Sequence, residues 1–104
     1  MTREDILGME AGRELDSLVN EYLFQILNPE FPHYSTDIKA AWEVVEALHE
    51  KHFTLIHNVE GGTYSAAFNG WVVTCDTAPE AICKAALLAV MEEKAEVENV
   101  NQIL

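Results

Sequence analysis

Four histidines and two cysteines carry the most versatile chemistry in this chain of 104 residues. His49 and His52 lie one helical turn apart, and His57 follows in the segment after them. A zinc or nickel site built on them would need three or four ligands within about 2 to 2.3 Å of the metal. The run His49-Glu50-Lys51-His52 superficially resembles the metalloprotease motif, but that motif needs histidines four positions apart, and here the step is three. The competing reading places the histidines at the end of a helix, where they cap carbonyls or edge the core and a positive charge suits the helix dipole. It is preferred, so no metal and no cofactor is expected. Cys75 and Cys83 could form a nucleophile or a redox pair only with a basic neighbourhood or a helix N-terminus to lower the thiol pKa. Cys75 alternates with Val73 on an apolar strand face, and Cys83 lies past the first turn of the last helix, so both are expected to be small core residues. Asp37, Glu43, Glu46 and Glu50 raise the question of paired carboxylates for acid and base work. The last three follow helical spacing in one row, however, which is the pattern of a solvated face. There is no glycine-rich phosphate loop, no Gly-x-Ser-x-Gly and no Cys-x-x-Cys, and the chain is not expected to be an enzyme.

The elements that would position these side chains follow from periodicity. Thr2 with Asp5 caps a short first turn that Gly8 interrupts. Ala11, Leu15, Leu18, Val19, Tyr22, Leu23, Ile26 and Leu27 form one helical stripe, which must stop near Asn28 because Pro29 and Pro32 cannot continue a helix. Residues 28–34 are therefore a loop. Ser35, Thr36 and Asp37 supply capping groups for a second helix with the stripe Ile38, Ala41, Trp42, Val45 and Leu48, continued by His49 and His52. The period then changes to two over residues 53–59, a strand, and Glu60-Gly61-Gly62 marks a turn. Residues 63–68 alternate again, and Asn69-Gly70 before residues 71–75 is the strongest short hairpin signal, since a type I′ turn needs positive φ at both central positions. Thr77-Ala78-Pro79-Glu80 is a capping box opening a last helix that is apolar all round over residues 85–91, so both its flanks should be covered. From Glu92 helical definition is expected to fade, leaving a weak stripe of Val97, Val100, Ile103 and Leu104.

The expected fold is α+β in the order α-α-β-β-β-α: a three-stranded antiparallel meander packed by helices, with residues 1–94 as one domain and residues 95–104 as an acidic tail. One sheet face carries Tyr64, Phe68, Trp71 and Val73 and should be covered. The other carries Thr54, Asn58, Thr63, Ser65 and Thr74 and should be covered at most in part.

Charge narrows the function. Eighteen Asp and Glu against 6 Lys and Arg give a net charge of -12. Such a field repels phosphate, so neither nucleic acid nor an anionic membrane is an expected partner. From the second helix onward the order matches double-stranded RNA-binding domains, but those grip phosphate with basic residues near the last helix start, where this chain offers Asp76, Glu80 and a single Lys84. No signal peptide and no run near the roughly 20 apolar residues of a membrane span is present, so a cytoplasmic protein is expected. Among residues able to build a binding surface, Trp42 on the apolar stripe is assigned to the core. Tyr34 in the proline-rich loop is the freest, and Trp71 sits beside an exposed turn.

Three stretches in combination resemble a known family: MTREDILGMEAGRELDSLV at residues 1–19, HYSTDIKAAWEVVE at 33–46 and DTAPEAICKAALLAV at 76–90. They are similar to the phage ABA sandwich domain family, small proteins of phages and prophages of Bacillus and related Firmicutes. The resemblance covers most of residues 1–92 and implies an α/β/α sandwich-like layered domain, in the cytoplasm of the host, with no assigned activity, cofactor or site. The expected function is that of a non-enzymatic accessory protein binding a host or phage protein, a basic one among the candidates, with Tyr34, Trp71, Glu43, Glu46 and Glu50 as candidate contacts. A module that binds a small nucleotide signal, and a metal site on His49, His52 and His57, are the alternatives. A second copy of the chain is a further candidate partner, through the sheet edge or the stripe from Val97 to Leu104.

Overall fold

A computed structural model describes residues 2–25 and 30–103. Thr2 and Asp5 form a reciprocal capping box: the Thr2 Oγ1 accepts from the Asp5 N–H at 3.2 Å and the Asp5 carboxylate accepts from the Thr2 N–H at 2.9 Å. This opens α1 (Arg3–Leu7), which ends at Gly8. The next helix is shorter than its stripe predicts. α2 (Arg13–Val19) widens into a π-helical turn over Asn20–Phe24, in which the Gln25 N–H reaches back five residues to the Asn20 carbonyl at 2.8 Å. Gln25 then turns left-handed at φ 54°, which closes the π-helical turn; the predicted positions Ile26 and Leu27 and the expected stop at Asn28 lie outside the described residues.

Asp37 caps α3 (Ile38–Ala47) by accepting from the Lys39 N–H at 3.0 Å. Its buried face is Ala40, Ala41 and Val44, not the row through Ile38 and Trp42, which are 44% and 43% exposed. Packing against a neighbouring helix favours the small alanines, which permit close approach, and turns the large side chains to the rim. The helix also ends before His49, so His49 and His52 lie in the following turns and not on its stripe.

β1 (Phe53–Asn58), β2 (Thr63–Phe68) and β3 (Trp71–Cys75) form an antiparallel meander in the order β1-β2-β3. Asn69 and Gly70, at φ 51° and 87°, make the type I′ turn that only such residues adopt without strain. In register, Phe53, Phe68 and Trp71 share one face with Leu55, Ala66 and Val73. Phe68 and Ala66 are fully buried there, and burial of a side chain such as Phe68 is worth about 1.5–3 kcal/mol.

α4 (Ala78–Ile103) lies on that face. Residues 81–89 are all buried because β2 and β3 cover one side of the helix and α1, α2 and α3 the other, as the apolar run from Ala85 requires; Lys84 is the one charge among them. Its backbone continues to Ile103, past Glu92, since the glutamates, lysine and alanine that follow are strong helix formers even with only a weak apolar stripe. At its start the Thr77 Oγ1 accepts from the Glu80 N–H at 3.4 Å, while the Glu80 carboxylate turns to Lys84 Nζ at 2.9 Å. The fold is α+β, with an open three-stranded antiparallel sheet.

Candidate functional site

Four polar residues are buried, and each is tied to a neighbouring segment. Asp16, 1% exposed, accepts the Ser35 N–H on Oδ1 at 2.7 Å, with His33 Nδ1 3.8 Å from its other oxygen. Ser35 Oγ accepts the Gly12 N–H at 2.8 Å and donates to the Gly12 carbonyl at 3.3 Å. The Asn20 Oδ1 accepts from the Tyr34 hydroxyl at 3.5 Å. Lys84 Nζ donates to the Leu7 carbonyl at 3.1 Å as well as to Glu80, fastening α1 to α4. Ser35 is therefore a latch between α2 and α3 and not a helix cap. Its hydroxyl is occupied by the Gly12 backbone on both sides. The signal for Asp16 was faint: it lies next to Leu15 and three residues before Val19, at the edge of the apolar stripe.

The candidate contact residues separate into two groups. Tyr34, expected to be free, is 3% exposed and stacks on Phe24 at 5.2 Å. Burial, with smaller contributions from Glu43 and Asp16, raises its phenol pKa. The π-helical turn that ends the preceding helix carries Phe24, which meets a ring that composition alone assigns to a loop. Trp71 is half-buried against the core, with the Arg3 guanidinium 5.5 Å over its ring. Trp42, expected in the core, is 43% exposed and meets Phe53 edge-on at 5.9 Å. Glu43, Glu46 and Glu50 are all exposed.

The histidines are not brought together. His49 Nδ1 lies 3.3 Å from the Glu46 carbonyl, the backbone of His52 donates to Asn69 Oδ1 at 2.8 Å, and His57 stacks on Tyr64 at 4.3 Å. Among the described residues no three histidine, cysteine or carboxylate side chains form a group able to hold a metal. Both cysteines are free thiols. Burial, then Glu80, pushes the Cys75 thiol up to about 12, and burial raises that of Cys83 further, so neither is activated as a nucleophile.

Among the described residues several surfaces are open to a partner, including a pocket of about 430 Å³ lined by Tyr22, Leu48, His49, Glu50 and Lys51. The outer face of the sheet has no helix over it among the described residues: Ile56 and Val72 are 53% and 57% exposed. Across it runs a ladder in which Asn58 Nδ2 donates to Thr63 and Ser65 at 3.1 Å and Ser65 pairs with Thr74 at 2.7 Å. The strands of this sheet contain no charged residue. Beside β3 lies a groove of about 410 Å³, lined by residues 72–76 with Leu7, Glu80 and Lys84. The helical side of the molecule, in contrast, is acidic. Glu43, Glu46 and Glu50 project from α3 and its turn, and Glu4, Asp5 and Glu14 from the N-terminal helices. Among the described residues no helix is long and apolar enough to cross a membrane.

Neither the curated proteins nor the solved structures contain a match to this chain. A family model does match: that of the phage ABA sandwich domain, over residues 4–87, which takes in every element from α1 to the buried half of α4 and leaves out the acidic end. The chain belongs to the phage ABA sandwich domain family.

Proposed function

We propose that this phage domain is a non-enzymatic interaction protein that binds a basic protein, of the host or of the phage, through its acidic surface. The observation that carries the reading is the separation of charge. The carboxylates Glu43, Glu46 and Glu50 are solvent-facing, whereas at least three cations among the described residues are engaged within the chain: Lys84 is buried against Glu80 and Leu7, Arg3 lies over Trp71, and Arg13 lies 4.8 Å over Phe31. A surface with this imbalance speeds encounter with a cationic partner and repels anionic competitors. Free thiols with raised pKa values and scattered histidines give the chain no comparable support for catalysis.

The test is capture from host lysate at low and moderate salt, with the chain and with a variant carrying Glu43→Gln, Glu46→Gln and Glu50→Gln. A basic protein retained at low salt, released at moderate salt and lost with the variant supports the reading. Recovery of no partner at either salt overturns it.

A further inference from the structure

β3 is an edge strand that lacks the usual protection of an edge. Its sequence, Trp71-Val72-Val73-Thr74-Cys75, has no lysine and no proline, and its register with β2 has no bulge. A two-residue turn closes on a hydrogen-bonded pair, here Phe68 and Trp71, so alternation gives the ladder bonds of β3 to Trp71, Val73 and Cys75. The N–H and C=O of Val72 and Thr74 then point away from β2, and no described residue pairs with them. The groove of about 410 Å³ runs along this same strand, bounded by Leu7 of α1 and by Glu80 and Lys84 of α4.

We propose that this groove binds an extended peptide segment carrying a basic side chain, which adds to β3 as a fourth strand. The inference rests on the interaction reading above and gives that partner a second point of contact, in extended conformation, apart from Glu43, Glu46 and Glu50. Two outward residues offer up to four main-chain hydrogen bonds, and alternate side chains of an added strand point to opposite faces. Those on the core side enter the groove, where Leu7 gives apolar contact and Asp76 and Glu80 give carboxylates. Lys84 neutralises one of the two, so the groove keeps a net negative charge within a chain of net charge -12. That charge selects a basic segment over a second copy, which would carry its own Asp76 and the same field into the site. The open sheet face does not favour a copy either. Three strands of this length span roughly 300 Å², well short of the roughly 800 Å² per partner of a stable interface.

The test uses two capped heptapeptides, one alternating valine with lysine and the other valine with glutamate, titrated into the labelled full chain and followed by amide resonances and hydrogen exchange. The lysine peptide is expected to shift the Val72 and Thr74 amides saturably and slow their exchange about tenfold or more, and the glutamate peptide to do neither. Val72→Pro removes an outward donor without touching the ladder and is expected to abolish binding; Asp76→Asn, which leaves the backbone intact, is expected to weaken it about threefold to tenfold. The proposal is overturned by no saturable shift at millimolar peptide, by equal binding of the glutamate peptide, or by shifts at Phe53, Leu55 and His57 on the opposite edge. A basic protein from the lysate that binds Val72→Pro as well as the parent chain refutes the groove and leaves the acidic-surface reading standing. Absence of any captured protein refutes that reading on its own.

Discussion

The Asp16–Ser35 latch makes a quantitative prediction. Asp16 is 1% exposed, Ser35 is fully buried, and the bond between the carboxylate and the Ser35 N–H is 2.7 Å long. Asp16→Ala removes the acceptor and strands a buried N–H. A hydrogen bond to a charged group is worth about 1.5–3 kcal/mol, and an orphaned buried donor costs about 1–3 kcal/mol; these describe one loss from two sides and do not add. Removing the carboxylate also relieves its desolvation, which offsets part of the loss. The expected destabilisation is about 2 kcal/mol. Asp16→Asn keeps an oxygen for the Ser35 N–H and gives up only the charge, so about 1 kcal/mol is expected. At roughly 4–8 °C per kcal/mol for a domain of this size, Tm falls by about 8–16 °C in the first variant and about half as much in the second. Urea unfolding followed by tryptophan fluorescence and circular dichroism measures both, with an unchanged m-value as the sign that the compactness of the end states is preserved. Asp16→Ala within about 0.5 kcal/mol of the parent would refute the latch; equal losses in the two variants would show that charge, not the acceptor, holds the segment.

Phe68→Ala opens a cavity under α4 and is expected to cost about 3–5 kcal/mol, read as loss of the folding transition or of dispersed methyl resonances. Ile56→Thr on the open face is expected to stay within about 0.5 kcal/mol in the same urea assay; a loss above 1 kcal/mol would mean that something covers that face. The raised Cys75 thiol pKa means that the fold holds this proton more tightly than the unfolded chain does, so its stabilising contribution is complete below about pH 8.5 and is lost as pH rises toward about 12. Alkylation by iodoacetamide at pH 8 is expected to be at least about a hundredfold slower in the native protein than in urea, and comparable rates would refute the burial argument. Light scattering is expected to show monomers at low salt and weak, concentration-dependent association at 1 M salt, where screening shortens the Debye length to about 3 Å; Thr74→Lys should suppress it, and association at low salt alone would contradict the charge argument.

What the sequence discloses well is what depends on local rules. The Asn69-Gly70 turn, the alternation of β2 and β3, the Thr2–Asp5 box and the all-apolar centre of α4 each need only a few adjacent residues to specify them, and the structure holds all of them. The differences arise where a distant segment decides. Which face of α3 turns inward depends on how closely α4 approaches, and Ala40, Ala41 and Val44 prevail over the larger Ile38 and Trp42. Tyr34 is buried because Phe24 is carried to it by a π-helical turn that no periodicity signals. Lys84 has the pattern of an exposed residue, yet its ammonium ends on a carbonyl 77 positions away in the chain. The groove beside β3 combines both kinds of information: its strand is legible, but its walls, Leu7 and Glu80, come from elements that only the fold brings alongside.

The distribution of charge follows from the same packing. α4 is covered on all sides over residues 81–89 and has no room there for a charge except Lys84, which needs two partners to be buried. The strands carry no charge, so the excess acid falls to the outer helices and the residues after Met91. An open sheet with two unprotected edges is ordinarily prone to pair with its own copies, and proteins commonly prevent this with lysines or prolines on the edge strand. Here neither edge strand carries one. In the proposed reading a net charge of -12 serves in their place, because every collision between copies brings like fields together, while a basic segment meets attraction along the same approach. In the same reading, the charge that repels phosphate also keeps the edge free for a strand of opposite sign.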